Sequence, residues 1–394
     1  MDDIYRRENG YEKELQLLEK AQISQINKEI ILKYHRHILS EGSGKNRVVK
    51  LSGELRKIAQ WLNKPFLEVT EENIRDLITQ ISQSDYAELT KVDFKKLVRR
   101  FYKWLEGNNK SYPDKVDWIK CKEKIGNKES LDIITPSEIK KVIDTCESPR
   151  DKAFISLLYE GGFRIGELLS MRIRDFNNER EYAKVKVTGK TGPREILIIQ
   201  SIPYLNQYLS VHPFREKLDT YFWIINGNYN HNKRLIYAGA KAIIKRLFKR
   251  AGVNKKRLHL HLFRHSRATE LAKHLTEAQM KAYFGWTQGS NMAAVYVHLS
   301  GRDVDNSIMR YYGLEDKKES PREKLNNNIH CPRCNNLNST ENKFCVQCGL
   351  ALDLHNAIEV KDKCVEDLNK HVQLFIEMVK NPNMLERFEE FKNP

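Results

Sequence analysis

HLHLFRH, residues 259–265, gathers three imidazoles and one guanidinium within about two helical turns, or across one strand-to-helix junction. Side chains of these types can hold a phosphate or bind a metal. The metal interpretation lacks support nearby, because no carboxylate or cysteine lies close in the sequence. The neighbouring segments are therefore needed to distinguish phosphate binding from metal binding.

Upstream lie two segments that fit a phosphate site. Gly162-Phe163-Arg164-Ile165-Gly166-Glu167 opens a predicted helix, and its glycines let a phosphate approach the backbone and the Arg164 side chain. Lys190 falls at the tip of a predicted hairpin, in Gly189-Lys190-Thr191-Gly192. Each segment also has an alternative interpretation. Arg164 could be a solvated surface arginine, and Lys190 could be a turn lysine without a functional role.

Downstream, Gly285-Trp286 is followed ten residues later by Tyr296, in the run AVYVHLS. Tyr311 and Tyr312 are rival tyrosines near the end of the same region. Their Arg-Tyr-Tyr-Gly context is typical of helix termination, so Tyr296 is the preferred candidate.

Taken in order, these segments resemble the catalytic domain of the tyrosine recombinase (phage integrase) family. The family pattern is R-x-x-E in a helix, a hairpin lysine, H-x-x-R-H, G-[HW] and a tyrosine nine or ten residues on. The matching residues here are Arg164, Glu167, Lys190, His261, Arg264, His265, Gly285, Trp286 and Tyr296. The resemblance spans roughly residues 133–313, and FGWTQGSNMAAVYVHLSGRD (284–303) is most similar to archaeal integrases.

The resemblance implies a mechanism. Arg164 and Arg264 would hold the two nonbridging oxygens of the scissile phosphate with guanidiniums that stay charged at any working pH. Tyr296 would attack the phosphorus and conserve the bond energy as a 3′-phosphotyrosyl ester. Rejoining would therefore need neither ATP nor a metal, so no catalytic cofactor is expected.

The remaining residues take supporting roles in this reading. Lys190 would protonate the departing 5′ oxygen, and His261 would assist proton transfer or phosphate binding. Glu167 is expected to orient Arg164 rather than react. Many relatives have histidine where this chain has Trp286, whose indole N–H can donate a hydrogen bond but cannot act as a base.

Outside the catalytic region the chain is expected to be mostly α-helical with a small β-sheet, an α+β fold. Apolar residues at helical spacing predict a helical domain over residues 10–106, which resembles the core-binding domain of the family. Residues 107–132 are polar and lysine-rich and predict an exposed linker. A catalytic domain over 133–313 follows, opening with a capping box at Thr135 and Glu138.

A cysteine module follows the catalytic region. Two C-x-x-C pairs, Cys331/Cys334 and Cys345/Cys348, predict a zinc ribbon over residues 329–352, with an iron–sulfur cluster as the alternative. Four protein thiolates leave no open position, which indicates a structural zinc ion.

A helix is predicted over residues 357–392. Val365, Leu368, Val372, Phe375 and Val379 form an a/d pattern along it. This pattern predicts either local packing or a contact between protomers.

The charge agrees with a polyanionic partner. The formal net charge is +16, and the excess lies before Leu352, since the sequence beyond it has nine acidic and six basic side chains. A protein that merely happens to be basic is the alternative.

No apolar run approaches the roughly 20 residues that span a bilayer, and the charged N-terminus lacks a secretory signal, so a cytoplasmic, DNA-associated protein without membrane contact is expected.

The sequence thus predicts a site-specific DNA recombinase, an integrase or excisionase, acting on double-stranded DNA. The resemblance implies a homotetramer on that DNA. One alternative is a type IB topoisomerase-like enzyme, which relaxes a single duplex with the same active-site logic. The other is a non-catalytic zinc-ribbon DNA-binding regulator.

Overall fold

The computed structural model describes residues 8–107, 111–121, 132–179, 182–189, 191–225, 232–299, 312 and 328–380. The predicted fold class, mostly α-helical with a small sheet, is confirmed. The chain divides into two compact units, Met1–Leu131 and Asp132–Pro394. Among the described residues, no helix is both long enough and apolar enough to cross a bilayer.

The first unit is a helical bundle. Its helices are α1 (Glu8–Glu19), α2 (Gln25–Ser40), α3 (Lys45–Leu62), α4 (Glu71–Gln83), α5 (Glu88–Leu105) and α6 (Asp114–Asp117). The apolar faces predicted from helical spacing meet in one core, where Tyr34, Ile58, Ile74 and Phe101 are almost completely buried. An ion pair between Arg56 and Glu14 joins α3 to α1.

Part of the predicted linker belongs to this core, which corrects the sequence interpretation. Val116 and Ile119 are buried, and the guanidinium of Arg75 lies 4.5 Å from the centre of the Trp118 ring. The lysines around them suggested an exposed linker, but three apolar side chains at close spacing are enough to dock one short turn. Residues 108–110 and 122–131 of the predicted linker lie outside the described residues.

The second unit begins with the predicted capping box, in which Thr135 and Glu138 bond reciprocally. Its helices are α7 (Pro136–Asp144), α8 (Pro149–Gly161), α9 (Ile165–Ser170), α10 (Ile202–Ser210), α11 (Tyr237–Arg250), α12 (Leu260–Leu271), α13 (Glu277–Phe284) and α14 (Met292–Leu299). Phe154 on α8 and Phe263 on α12 are fully buried.

A three-stranded antiparallel sheet of order β1-β2-β3 packs beside these helices; its strands are β1 (Phe176–Asn178), β2 (Ala183–Gly189) and β3 (Gly192–Ile198). The predicted hairpin is formed by β2 and β3, which pair up to its tip. Gly189 pairs with Gly192, whose φ of +98° suits a tight turn. The hairpin therefore brings its tip close to the rest of the unit.

The C-terminal part of this unit holds β4 (Asn328–His330), β5 (Leu337–Ser339) and the long helix α15 (Leu354–Lys380). The two short strands pair antiparallel. The residues next to these strands contact α10 and α8 through hydrogen bonds from Asn206 to Asn336 and from Lys152 to Glu341. Residues 381–392 of the predicted helix lie outside the described residues.

Candidate active site

Arg164 stands at the junction between two helices. Helix α8 ends at Gly161 and is capped by Gly162, which adopts the left-handed conformation with φ +56°, and Arg164 is the N-cap of α9. A side chain at Gly162 would come within 2.8 Å of the Phe284 ring, so glycine is needed for this close packing. The turn directs the Arg164 guanidinium toward Glu167 and Gly285.

Glu167 is the centre of a charged network. It accepts hydrogen bonds from the backbone N–H and Nη1 of Arg164 at 3.0 and 2.8 Å. Arg194 approaches from β3 and donates both Nη groups to the same carboxylate, at 2.9 and 2.7 Å. Burial by itself would raise the pKa of Glu167, but the hydrogen bonds and charge of Arg194, and after them those of Arg164, lower it. The carboxylate therefore stays ionised and orients Arg164, as the resemblance implied.

Arg194 was missed by the sequence interpretation. Arg194 lies two and four positions before Ile196 and Ile198 on β3, so the three side chains share one face of the strand. Both isoleucines are buried, so this is the inward face. A basic residue at an inward strand position is the signal that could have found it, because such a charge requires a buried partner. Its Nε also donates to the carbonyl of Tyr283 at 3.0 Å.

The hairpin tip is fixed against this network on both sides of Lys190. A side chain at Gly189 would come within 2.4 Å of Glu167 Oε1, so the strand passes directly over the carboxylate. On the other side, the Thr191 hydroxyl donates to the carbonyl of Gly285 at 3.0 Å. Lys190 itself, predicted as a catalytic residue, lies outside the described residues.

Arg264 is buried in the floor of the site, with only 2% of its surface exposed. Its Nη1 donates to the carbonyl of Gly162 at 3.1 Å, and its Nη2 donates to the carbonyl of Phe284. Arg164 donates to the next carbonyl along the chain, that of Gly285, at 2.9 Å. The two predicted clamp arginines are thus anchored on adjacent peptide groups.

Burial, and after it the positive charge of Arg164, lowers the pKa of Arg264 to about 9. Arg264 therefore remains charged at neutral pH. Together with Arg164 and Arg194, it places three guanidiniums around the single carboxylate of Glu167. Of the five N–H donors on each guanidinium, the described contacts of Arg164 and Arg264 use two each. The site therefore has an excess of positive charge and donors suited to an anion.

Tyr296 reaches this site from α14. It is 2% exposed, its ring is parallel to that of Trp286 with centroids 5.7 Å apart, and its hydroxyl contacts Nδ1 of His265. Trp286 in turn lies under the Arg264 guanidinium, 5.5 Å from the ring centre. Burial raises the pKa of Tyr296 to about 12, although Arg264 opposes the shift.

His261 occupies an exposed position in the first turn of α12. Its ring meets that of His265 edge-on, with centroids 4.7 Å apart. Desolvation, and after it the charges of His265 and Arg264, lowers the pKa of His261, so its imidazole is neutral at pH 7. Of the rival tyrosines, Tyr312 is 71% exposed, and Tyr311 lies outside the described residues.

The four predicted metal ligands form a separate cluster. The Sγ atoms of Cys331, Cys334, Cys345 and Cys348 all lie within 4.8 Å of one another. Each C-x-x-C turn closes on a residue with positive φ, Asn335 at 57° or Gly349 at 72°. A tetrahedral Zn–S site with bonds of about 2.3 Å separates its sulfurs by about 3.8 Å, so the arrangement fits four thiolates around one ion.

Comparisons with known proteins agree with this geometry. Residues 132–302 match the phage integrase family. Transposase A from transposon Tn554 of Staphylococcus aureus is 27% identical over 208 residues, covering 49% of this chain and 55% of that protein. The chain therefore spans about half the length of this relative. Tyrosine recombinase XerA of Saccharolobus solfataricus is 25% identical over 299 residues, covering 72% of this chain and 93% of that protein.

Two solved structures share the fold. XerH site-specific recombinase, bound to its palindromic difH substrate, superposes with a TM-score of 0.55 at 16% identity, covering 79% of this chain and 98% of that one. A lambda integrase tetramer bound to a Holliday junction gives a TM-score of 0.50 at 13% identity, covering 70% and 78%. At these identities the likeness concerns the fold alone.

Proposed function

Because the chain belongs to the tyrosine recombinase (phage integrase) family, we propose that it is a site-specific DNA recombinase, an integrase or excisionase. It cuts and rejoins DNA through a 3′-phosphotyrosyl intermediate on Tyr296. One observation carries the proposal. Arg164, Arg264 and Tyr296 come from distant segments, yet they are joined through the adjacent carbonyls of Phe284 and Gly285 and the ring of Trp286.

The two clamp arginines bind the scissile phosphate. Arg164 and Arg264 donate N–H groups to the nonbridging oxygens and stabilise the charge that grows on them in the transition state. Both guanidiniums are held in place before DNA arrives, Arg164 by Glu167 and Arg264 by two carbonyls. Preorganised charge of this kind lowers the barrier without reorganisation during the reaction.

The remaining roles follow the family pattern. Lys190 protonates the 5′ oxygen as it leaves, and the flanking anchors at Gly189 and Thr191 support a position near the phosphate. Trp286 donates its indole N–H to a phosphate oxygen. His261 assists phosphate binding from its exposed edge. The reaction uses no ATP and no catalytic metal.

The cysteine cluster binds one structural Zn²⁺ through Cys331, Cys334, Cys345 and Cys348. The short distances between the four sulfurs support this assignment. So small a segment has little core of its own, so the metal would supply much of its folding energy. Its contacts to α8 and α10 favour a ribbon that braces the catalytic region.

The partner is double-stranded DNA, and the active assembly is a homotetramer on it. The basic charge and the likeness to DNA-bound recombinases support the partner. In α15, Val365, Leu368 and Val372 are each about half exposed or more. They are not covered by their own chain's ribbon, which favours the predicted contact between protomers.

The experiment that tests this function is sequencing of DNA covalently trapped on the protein. Genomic fragments carrying nicks would be incubated with wild-type protein and with Tyr296→Phe, and protein-linked fragments would be recovered under denaturing conditions. We expect one recurring sequence with wild type and none with Tyr296→Phe. Adducts at random sequence, with relaxation of one duplex and no exchange between two, would instead indicate a topoisomerase. Duplex binding without any adduct would indicate a regulator.

A further inference from the structure

His265 contacts the reacting hydroxyl, although the family pattern assigns proton transfer to His261. Its Nδ1 lies at hydrogen-bonding distance from the Tyr296 hydroxyl, one helical position after the clamp residue Arg264. Within the described residues, the recorded ring contact of His261 is to His265 and not to Tyr296. The imidazole nearest the nucleophile is therefore His265.

The protonation states fix the direction of this hydrogen bond. Desolvation, and after it the charges of His259 and Arg264, lowers the pKa of His265, so its imidazole is neutral at pH 7. Tyr296 keeps its proton, because burial raises its pKa to about 12. The groups facing His265 are His261 and Arg264 on its own helix, the N-cap residue His259 of that helix, and Tyr296 on α14. The phenol therefore donates, and Nδ1 accepts, which leaves the ring proton on Nε2.

We propose that His265 is the general base that takes the proton of Tyr296 during strand cleavage. The inference rests on the proposed function and goes further, because it assigns the base to a residue that the family pattern leaves without a role. The parallel Trp286 ring keeps the phenol from turning away, so the hydroxyl stays directed at Nδ1.

The step balances in both directions. As the bond from Tyr296 Oη to phosphorus forms, the phenolic proton moves to His265 Nδ1, and the bond from phosphorus to the 5′ oxygen breaks. That oxygen leaves as a hydroxyl with a proton from Lys190. In rejoining, the 5′ hydroxyl returns its proton to Lys190 as its oxygen attacks the phosphorus. The bond from phosphorus to Oη breaks, and the departing Oη takes its proton back from Nδ1.

This base would act only when DNA is bound. An imidazolium at His265 would lie in a partly desolvated position beside the positive charge of Arg264, which disfavours proton transfer in the free protein. A phosphate held by Arg164 and Arg264 brings negative charge next to it and offsets that repulsion. The nucleophile would thus stay protonated until the substrate is in place.

The test uses His265→Gln on the nicked duplex recovered by covalent trapping, with the adduct measured over time. Glutamine keeps a hydrogen-bond acceptor but cannot take a proton, so we expect cleavage at pH 7 to fall by about 10²- to 10⁴-fold. The wild-type rate should be flat above neutrality and decline in acid as His265 protonates. The variant rate should instead rise with pH, about tenfold per unit, because only the phenolate would react.

A second measurement separates a base from a packing residue. Replacing Tyr296 with a fluorotyrosine of lower phenol pKa should restore part of the cleavage by His265→Gln and change wild type little. His259→Gln is the matched control, since its imidazole is exposed and does not contact Tyr296 in the described structure. It should cleave at close to the wild-type rate.

The outcomes distinguish this inference from the proposed function. Adducts from wild type, together with an unchanged rate in His265→Gln, would overturn the base alone. A slower variant with a wild-type pH profile and no effect of the fluorotyrosine would also overturn it, because that is the behaviour of lost packing. Absence of adducts from the wild-type protein on every duplex would overturn the proposed function and the base with it.

Discussion

Replacing Arg194 with methionine removes two hydrogen bonds to Glu167 and one to the Tyr283 carbonyl while keeping most of the side-chain volume. The side chains of Arg194 and Glu167 are only 10% and 3% exposed, so solvent screens this pair weakly. Breaking a buried pair costs about 3–5 kcal/mol. Because Arg164 stays bonded to Glu167, we expect a loss of about 2–3 kcal/mol, equivalent to a decrease in Tm of about 5–10 °C.

The pH dependence of that loss gives a second signature. The folded state lowers the pKa of Glu167, so its pairing with Arg194 stabilises the protein above the pKa of the unfolded carboxyl and this stability is lost as the pH falls through the folded value. The difference in unfolding free energy between wild type and Arg194→Met should therefore be largest near pH 7. It should shrink as the pH falls below the ordinary range of a glutamate carboxyl, about 4.3, and vanish once the folded carboxyl of Glu167, whose pKa lies lower, takes up a proton.

Cleavage should slow as well, although Arg194 does not belong to the proposed phosphate clamp. With only one arginine on Glu167, Arg164 is held less firmly, and misplacement of about 1 Å can cost about 10²-fold in rate. We expect adduct formation to be 10- to 100-fold slower, with little change in duplex affinity. Thermal unfolding at several pH values and the trapping assay measure both effects. Lys184→Met is the control, because it removes one exposed charge from the neighbouring strand. Equal behaviour of the two variants would refute the reasoning.

Three further predictions test the proposed chemistry and assembly. Tyr296→Phe should abolish adducts and leave duplex affinity nearly unchanged, since only the phenolic oxygen is lost; surviving adducts would point to another tyrosine. Elemental analysis should find about one zinc per chain, lost on replacing Cys331 or Cys345, with cleavage independent of added divalent metal; iron, or a strict need for magnesium, would contradict this. Deleting residues 357–394 should preserve binding by single protomers and weaken DNA-dependent tetramers in analytical ultracentrifugation, whereas unaltered tetramers would show that α15 packs locally.

The features that depend on local sequence could be predicted. Apolar spacing located the helices of the first unit, because each buried face is encoded within one segment. The capping box at Thr135 and the close C-x-x-C turns of the cysteine cluster are likewise short-range patterns. The order and spacing of five short motifs were enough to indicate the family, because each motif can be recognised from a few neighbouring residues.

Contacts between distant segments could not be predicted. Arg194 meets Glu167 across 27 positions and the Tyr283 carbonyl across 89, and no local pattern encodes either pairing. The contact between His265 and Tyr296 spans 31 positions and decides which imidazole faces the tyrosine hydroxyl. The family pattern assigned proton transfer to His261 and gave His265 no role, and only the packing of α14 against α12 brings the Tyr296 hydroxyl to His265.

The pair Gly285-Trp286 connects the arginines of this site with its tyrosine, Tyr296. Gly285 has a φ of +58°, which favours glycine, and a side chain there would also press on the Arg194 guanidinium at 3.0 Å. The left-handed turn sends the carbonyls of Phe284 and Gly285 to different guanidiniums, Arg264 and Arg164. The next ring, that of Trp286, then lies parallel to Tyr296. One turn therefore positions both the proposed phosphate clamp and the proposed nucleophile, which explains why the glycine directly precedes the aromatic residue.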